Sequence, residues 1–289
     1  MINFKSMKSL TNIIINGSKE KPIALDVFYK QTNKPKPVVI FVHGFKGFKD
    51  WGHFNTVAKT FVDAGFVFMK FNFSYNGTTT QNPLVFDDLE AFGNNNYIIE
   101  LNDLGLVIDW VLTNDTFSQE IDLEDLSLIG HSRGGGIVIL KAAEDKRVKK
   151  IATWAAVSDF INRNKPSTVE TWKQQGVVHT FNMRTGQQMP LYYQFYETIQ
   201  ANANRLDIAR AAKQLIIPFL IIHGTADTAV SFHDAEELHK ACKHSKLLVI
   251  EGADHTFGIK HPFIDAVYPE QANTLIQQTI SFFENKFQL

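Results

Sequence analysis

Residues Leu126-Ser-Leu-Ile-Gly-His-Ser-Arg-Gly-Gly-Gly-Ile-Val-Ile-Leu140 decide how this chain is read. The apolar run up to Ile129 has the form of a buried strand, and the small residues after Arg133 have the form of a helix start. Gly130-His131-Ser132-Arg133-Gly134 is then the sharp turn between them. A serine on such a turn takes a strained backbone conformation, and the positions two residues to either side must be glycine so that strand and helix meet without collision. The helix N-terminus directs partial positive charge at the same place. This is the arrangement of an activated nucleophile, which makes Ser132 the candidate for acyl transfer.

Upstream, Lys36-Pro-Val-Val-Ile-Phe-Val-His-Gly-Phe45 contains a continuously apolar strand, as expected of a parallel strand covered on both faces, ending in His43-Gly44-Phe45. A glycine there lets a backbone N–H turn toward a ligand. The N–H groups of Phe45 and Arg133 are therefore the candidates for holding an oxyanion. Downstream, Ile216-Ile-Pro-Phe-Leu-Ile-Ile-His-Gly-Thr-Ala-Asp227 is a strand that breaks at Gly224, with Asp227 just beyond it. Lys246-Leu-Leu-Val-Ile-Glu-Gly-Ala-Asp-His255 is another, with His255 in its following loop. Nucleophile, acid and base thus follow in the order Ser132, Asp227, His255. Each sits beyond the C-terminal end of a strand, where open parallel sheets place their ligands.

With these segments in hand, the chain resembles the α/β-hydrolase superfamily over nearly its whole length. Within it, the chain is most similar to the dienelactone-hydrolase and feruloyl-esterase-like group. The resemblance rests on Gly130-His-Ser-Arg-Gly134, His43-Gly-Phe45, His223-Gly-Thr-Ala-Asp227 and Gly252-Ala-Asp-His255. It implies a mostly parallel eight-stranded sheet with helices on both faces. It also implies a carboxylesterase in which Ser132 attacks, His255 acts as base and Asp227 orients it, without cofactor or metal. The same constellation serves thioesterases and serine peptidases, and a non-catalytic hydrolase-fold receptor is the alternative of a different class.

Asp159 also follows an apolar run, Ile151 to Val157, and offers a second candidate acid. Chain order and the His-Gly-x-x-Asp spacing favour Asp227, which leaves Asp159 to cap a following helix. Asp254, adjacent to His255, suits a turn. Of the ten histidines, His43, His131 and His223 read as structural, while His233, His239, His244 and His261 read as solvated. No H-E-x-x-H pattern or cysteine pair suggests a metal site, and Gly134-Gly135-Gly136 suits close helix packing rather than a dinucleotide fingerprint.

Thirty acidic against 29 basic residues leave a net charge of -1, which gives no pull toward nucleic acid or an anionic membrane. The expected partner is a small-molecule ester. A single cysteine, Cys242, an N-terminus without an apolar leader core, and no long apolar run together point to a cytoplasmic enzyme.

The pattern also orders the chain. Thr11 to Ile15 and Ile23 to Tyr29 read as a hairpin turning at Asn16-Gly17. Strands are then expected at 37–42, 66–73, 126–129, 150–156, 216–222 and 246–250, with helices near 53–64, 97–113, 133–144 and 270–286. A polar helix fits 232–244. The core is expected from residues 1–158 and 207–289. Residues 159–206 interrupt the alternation and concentrate aromatics: Phe160, Trp172, Phe181, Tyr192, Tyr193, Phe195 and Tyr196. This segment reads as a cap, with a small hairpin near 177–186 flanked by helices. Trp172, Tyr192 and Tyr193 are candidates for lining a substrate pocket. So is Tyr75, from the loop at 74–80, which with the loop at 46–52 faces the same edge of the sheet.

Overall fold

In the computed structural model of the chain, residues 7–163 and 166–284 are described. An eight-stranded sheet runs through them. In chain order its strands are β1 (Met7–Asn16), β2 (Pro22–Lys30), β3 (Lys36–Val42), β4 (Val67–Asn72), β5 (Ile121–His131), β6 (Val148–Trp154), β9 (Phe219–Gly224) and β10 (Ser245–Ile250). A separate pair, β7 (Val177–Asn182) and β8 (Gln187–Tyr192), forms an antiparallel hairpin. The spatial order is β1-β2-β4-β3-β5-β6-β9-β10, antiparallel where β2 meets β1 and β4 and parallel from β4 onward. This is the expected α/β sheet. β4 and β9 are buried along their whole length, as strands covered on both faces must be.

Two apolar layers hold the sheet. On one face α1 (Phe54–Asp63) and α10 (Glu270–Glu284) pack Phe54, Val57, Phe61, Leu275 and Ile276 against Phe41, Phe68, Ile129 and Trp154. The apolar positions of α1 recur at three and four residues, so one stripe faces the sheet. On the other face lie α3 (Tyr97–Thr113), α4 (Arg133–Glu144), α8 (Ile208–Gln214) and α9 (Phe232–Ala241). The remaining helices are α2 (Leu89–Asn94), α5 (Pro166–Gln175), α6 (Gln194–Ala201) and α7 (Ala203–Leu206). No helix among the described residues is long and apolar enough to cross a membrane.

Several expectations shift. The β1–β2 connection is no two-residue Asn-Gly turn: a short 3-10 turn at Ser18–Glu20 intervenes and Gly17 has φ -99°. Glycine is needed there for space instead, since a Cβ would lie 2.5 Å from the Lys21 carbonyl oxygen. β5 begins at Ile121, ahead of its apolar run, and its opening stretch, Asp122 to Asp125, is exposed or half-buried. The closing helix was expected to reach 286; residues 285 and 286 lie outside the described residues, as do the first six of the N-terminal stretch read for a leader.

The segment after β6 contains the expected hairpin, β7 and β8, between α5 and α6. Its own core is aromatic: Trp172 is buried, stacks near Phe195 and donates its indole N–H to the Leu191 carbonyl at 2.7 Å.

Candidate active site

Ser132 joins β5 to α4 with φ 56° and ψ -120°, a region that disfavours any residue with a side chain. Its N–H donates to the Trp154 carbonyl at 2.9 Å and its carbonyl accepts from Gly135 N–H at 3.0 Å, so both neighbours hold the strained turn. The glycines explain how strand and helix close on it. A Cβ on Gly130 would sit 2.3 Å from the Gly134 oxygen, and one on Gly134 would sit 2.4 Å from the Val42 oxygen. Gly44 serves the same end, since a methyl there would come 3.0 Å from Ser132 Cβ. The chain leaving β3 therefore runs against the serine, and Phe45 follows directly.

His255 and Asp227 come together from the loops after β10 and β9. His255 Nδ1 lies 2.7 Å from Asp227 Oδ2, the carboxylate side chain is fully buried, and the ring is 22% exposed. With Nδ1–H given to the carboxylate, Nε2 carries the lone pair of the neutral ring. Asp227 Oδ1 accepts from the N–H groups of Ala229 and Val230 at 2.8 and 2.9 Å. The one N–H at His223 Nε2 is shared between the Val230 carbonyl at 3.1 Å and Asp227 Oδ2 at 3.3 Å. Burial pushes the Asp227 carboxyl up, but hydrogen bonds from His223, His255 and Val230 outweigh it and hold the group well below the usual carboxylate range.

Three further histidines shape the site without joining this chain of bonds. His131 Nε2–H donates to the His255 carbonyl at 2.9 Å and so fixes the backbone beneath that ring. Although His131 borders the cavity, protein surrounds its ring; burial first, then the neighbouring His255, lower it to about 3. It stays neutral. His43 is lowered to about 4 by burial and donates Nδ1–H to the Gly44 carbonyl at 2.9 Å, bracing the turn before Phe45. His53, wedged among Phe54, Phe263 and Tyr268, is lowered by burial to about 3.

Ser132 and His255 open onto two adjoining cavities. The smaller, about 150 Å³, is walled by Phe45, Trp51, Phe54 and His131. The larger, about 360 Å³, is walled by Phe45, Tyr97, Val157 and Phe160, with Lys46, Arg133 and Arg163. Phe45 and Arg133 thus flank the serine, and the loop at 46–52 contributes Lys46, Gly47 and Trp51.

The expected substrate residues are elsewhere. Trp172 and Tyr193 face each other inside the segment's own core, Tyr192 lies against Gly93 and bonds Glu90, and Tyr75 sits beside Lys19 and Lys21. None of the four borders either cavity. Trp172 and Tyr193 fill the segment's own core and Tyr192 fastens the hairpin to α2, uses of aromatic surface that a linear reading cannot distinguish from pocket lining. The loop at 74–80 is likewise turned away: Ser74 donates from N–H and Oγ to Asp103, and Thr78 to Thr80 border a separate cavity. Asp159 caps no helix; it accepts from the N–H groups of Ile161 and Asn162 and closes a turn. Asp254 also closes a turn, accepting from Thr256 and Gly258 N–H. Tyr97 and Arg163 were not singled out. Tyr97 opens a helix at the C-terminal edge of the sheet, and helix starts on that edge are the signal that finds it.

A family model matches residues 25–242, three quarters of the chain, from within β2 to beyond β9, and its description is BD-FAE. The chain belongs to the BD-FAE family. The match stops short of His255. Among solved structures, this BD-FAE member is similar to ferulic-acid-bound Est1E from Butyrivibrio proteoclasticus, with TM-score 0.69, 18% identity, and 93% of this chain and 98% of that chain covered. It is similar also to the alpha/beta hydrolase GrgF from Penicillium sp. sh18, with TM-score 0.71, 14% identity, and 96% and 98% covered. At such identities the likeness is one of fold, and the fold is that of the α/β hydrolases. Among curated proteins, Lysophosphatidylserine lipase ABHD12 of Danio rerio is 21% identical over 221 residues, covering 76% of this chain and 51% of the relative. The chain spans about half the length of the curated relatives it matches.

Proposed function

We propose that this protein is a serine hydrolase that cleaves carboxylic esters of small molecules through an acyl-enzyme. The observation that carries the reading is that His255, bonded through Nδ1 to the buried Asp227 carboxylate, opens onto the same cavity as Ser132, itself held at positive φ. In the first step Ser132 Oγ bonds to the ester carbonyl carbon while His255 Nε2 takes the hydroxyl proton. Asp227 keeps the ring in the tautomer that can accept it and stabilises the imidazolium. The carbonyl oxygen becomes an oxyanion held by the N–H groups of Phe45 and Arg133, at the positive end of α4. When the carbon–oxygen bond to the alcohol breaks, His255 returns the proton to the leaving oxygen. Water, deprotonated by the same ring, then releases the acid and restores Ser132.

Est1E with ferulic acid and a lysophosphatidylserine lipase support an ester as the scissile group. The two cavities fit an ester's two sides. The smaller is on the order of the volume that takes one benzene-sized group.

Labelling with a fluorophosphonate and assay on para-nitrophenyl butyrate test the reading. Wild-type protein is expected to label at Ser132 and turn over, and Ser132→Ala to lose on the order of a thousandfold or more in kcat while keeping its circular dichroism spectrum. An alanine variant that keeps near wild-type turnover removes Ser132 from the mechanism.

A further inference from the structure

The larger cavity is charged on one side only. Lys46, Arg133 and Arg163 border it, and among the described residues no carboxylate borders it or its smaller neighbour. The acids that touch these cations stand behind them. Glu100, 2% exposed, accepts from Arg133 Nη1 at 3.1 Å. Asp234 lies 3.3 Å from Arg163 Nη1 and already accepts the N–H and Oγ–H of Ser158. Lys46 has no acid: among the described residues its ammonium bonds the Phe181 carbonyl at 3.0 Å and Thr180 Oγ1 at 3.4 Å and lies 5.4 Å over the Phe45 ring. Three cations are thus answered by two acids, both outside the cavity.

The Arg133 guanidinium is also fixed in place. It lies 4.0 Å over the Phe45 ring and 5.1 Å from that of Tyr97, and among the described residues Glu100 holds one of its N–H groups. The remaining N–H groups are free for a ligand. A planar, stacked guanidinium is pre-organised to meet two oxygens at once. Apolar walls from Phe45, Val157 and Phe160 strengthen any charge interaction made there. A lysine and an arginine crowded together in such a place repel one another, and burial and then Arg133 hold the Lys46 ammonium below its ordinary value. An anion between them relieves both.

We propose that the ester this site hydrolyses carries an anionic oxygen group, a carboxylate or a phosphate, seated in the larger cavity among Lys46, Arg133 and Arg163; this rests on the reading of Ser132 as an esterase nucleophile. The substituent lies on the part of the substrate that fills this cavity, and the uncharged part fills the smaller, apolar one. Arg163 and Lys46 are specificity determinants, since they face the substituent and not the reacting carbon.

The test compares kcat/KM on matched pairs that differ only in charge. The carboxylate pairs are para-acetoxybenzoate against para-tolyl acetate and monoethyl glutarate against ethyl pentanoate. The phosphate pair is butyrylglycerol phosphate against butyrylglycerol. Wild-type protein is expected to favour the anionic member of at least one pair by tenfold or more, less so as salt is raised. Arg163→Gln and Lys46→Gln should each reduce that ratio several-fold, and together abolish it. Lys59→Gln, an exposed cation on α1 away from both cavities, controls for net charge and should leave the ratio as it was. Whichever pair responds names the group. If wild-type turns over the neutral members while showing no preference for any anion, or if the two variants keep the preference, the anion site is wrong and the esterase reading stands. If no ester is turned over, the esterase reading fails. Calorimetric titration of wild-type with para-acetoxybenzoate and inorganic phosphate then decides the anion site: saturable binding weakened in Arg163→Gln upholds it, and its absence overturns it.

Discussion

Asp227 keeps its charge on a buried side chain because four N–H donors converge on it, and that separates it from Asp159, whose carboxylate only closes a local turn. Asp227→Asn presents an amide to Nδ1, favours the wrong tautomer of His255, and is expected to lower kcat roughly ten-thousandfold. Asp159→Asn can still accept from Ile161 N–H, so its kcat should stay within about tenfold of wild-type. Comparison of the two variants on one neutral ester checks this, and the reverse ranking would move the acid to the loop after β6. A related expectation concerns protons. Since His131 stays neutral down to about 3 and Asp227 stays ionised, neither should contribute to the acid limb of kcat/KM above about pH 4. A second-order limb would bring another group into the mechanism.

At the scale of elements, the loop that carries Phe45 is tied down by charge. Asp26 on β2, Lys70 on β4, and Lys49 and Asp50 in the loop after β3 form a closed ring of two lysines and two aspartates. Lys49 Nζ is 2.8 Å from Asp26 and 2.6 Å from Asp50; Lys70 Nζ is 2.7 Å from Asp26 and also contacts Asp50. Lys70 is fully buried and Asp26 nearly so. Asn72 Oδ1 adds a bond from Lys49 N–H at 2.6 Å. Removing one member leaves an unbalanced buried charge, so Lys70→Met should cost about 3–5 kcal/mol of unfolding free energy in urea denaturation. A loss under about 1 kcal/mol would show that the three remaining groups satisfy one another. The sequence hints at this ring by placing Lys70 and Asp26 inside the buried runs of β4 and β2, and their pairing, distant along the chain, is found by sheet order.

For the whole molecule, His43 and His53 couple folding to pH. Both are buried, and burial holds them at about 4 and about 3, against the ordinary histidine value of 6.5 in the unfolded chain. Folded-state values below the unfolded one mean that the unfolded chain takes up protons first as pH falls. The stability is therefore intact above about 6.5 and is lost progressively as pH falls toward 4 and then 3. At pH 5 each histidine should cost on the order of 2 kcal/mol. Melting followed by circular dichroism between pH 7.5 and 5 should show Tm falling with acid, and His53→Phe should flatten the slope. A Tm independent of pH across that window would mean that these rings are charged in the folded protein.

The sequence by itself determined the sheet, the serine turn and the order of Ser132, Asp227 and His255, because those features are written locally. An apolar run bounded by glycine makes a buried strand wherever it lies, and a residue just past its end falls on the C-terminal edge of the sheet. The helices 97–113 and 133–144 were readable for the same reason, from their own pattern. Only the tertiary structure decided which side chains border the serine. Trp172, Tyr192 and Tyr193 carry the same aromatic signal as Phe160, yet Trp172 packs against Tyr193, Tyr192 lies against Gly93 of α2, and only Phe160 is left at the cavity, beside Tyr97. Lys46, Arg133 and Arg163 come from three separate segments, so their shared field at one cavity is a sum over positions in space that no local pattern in the chain encodes.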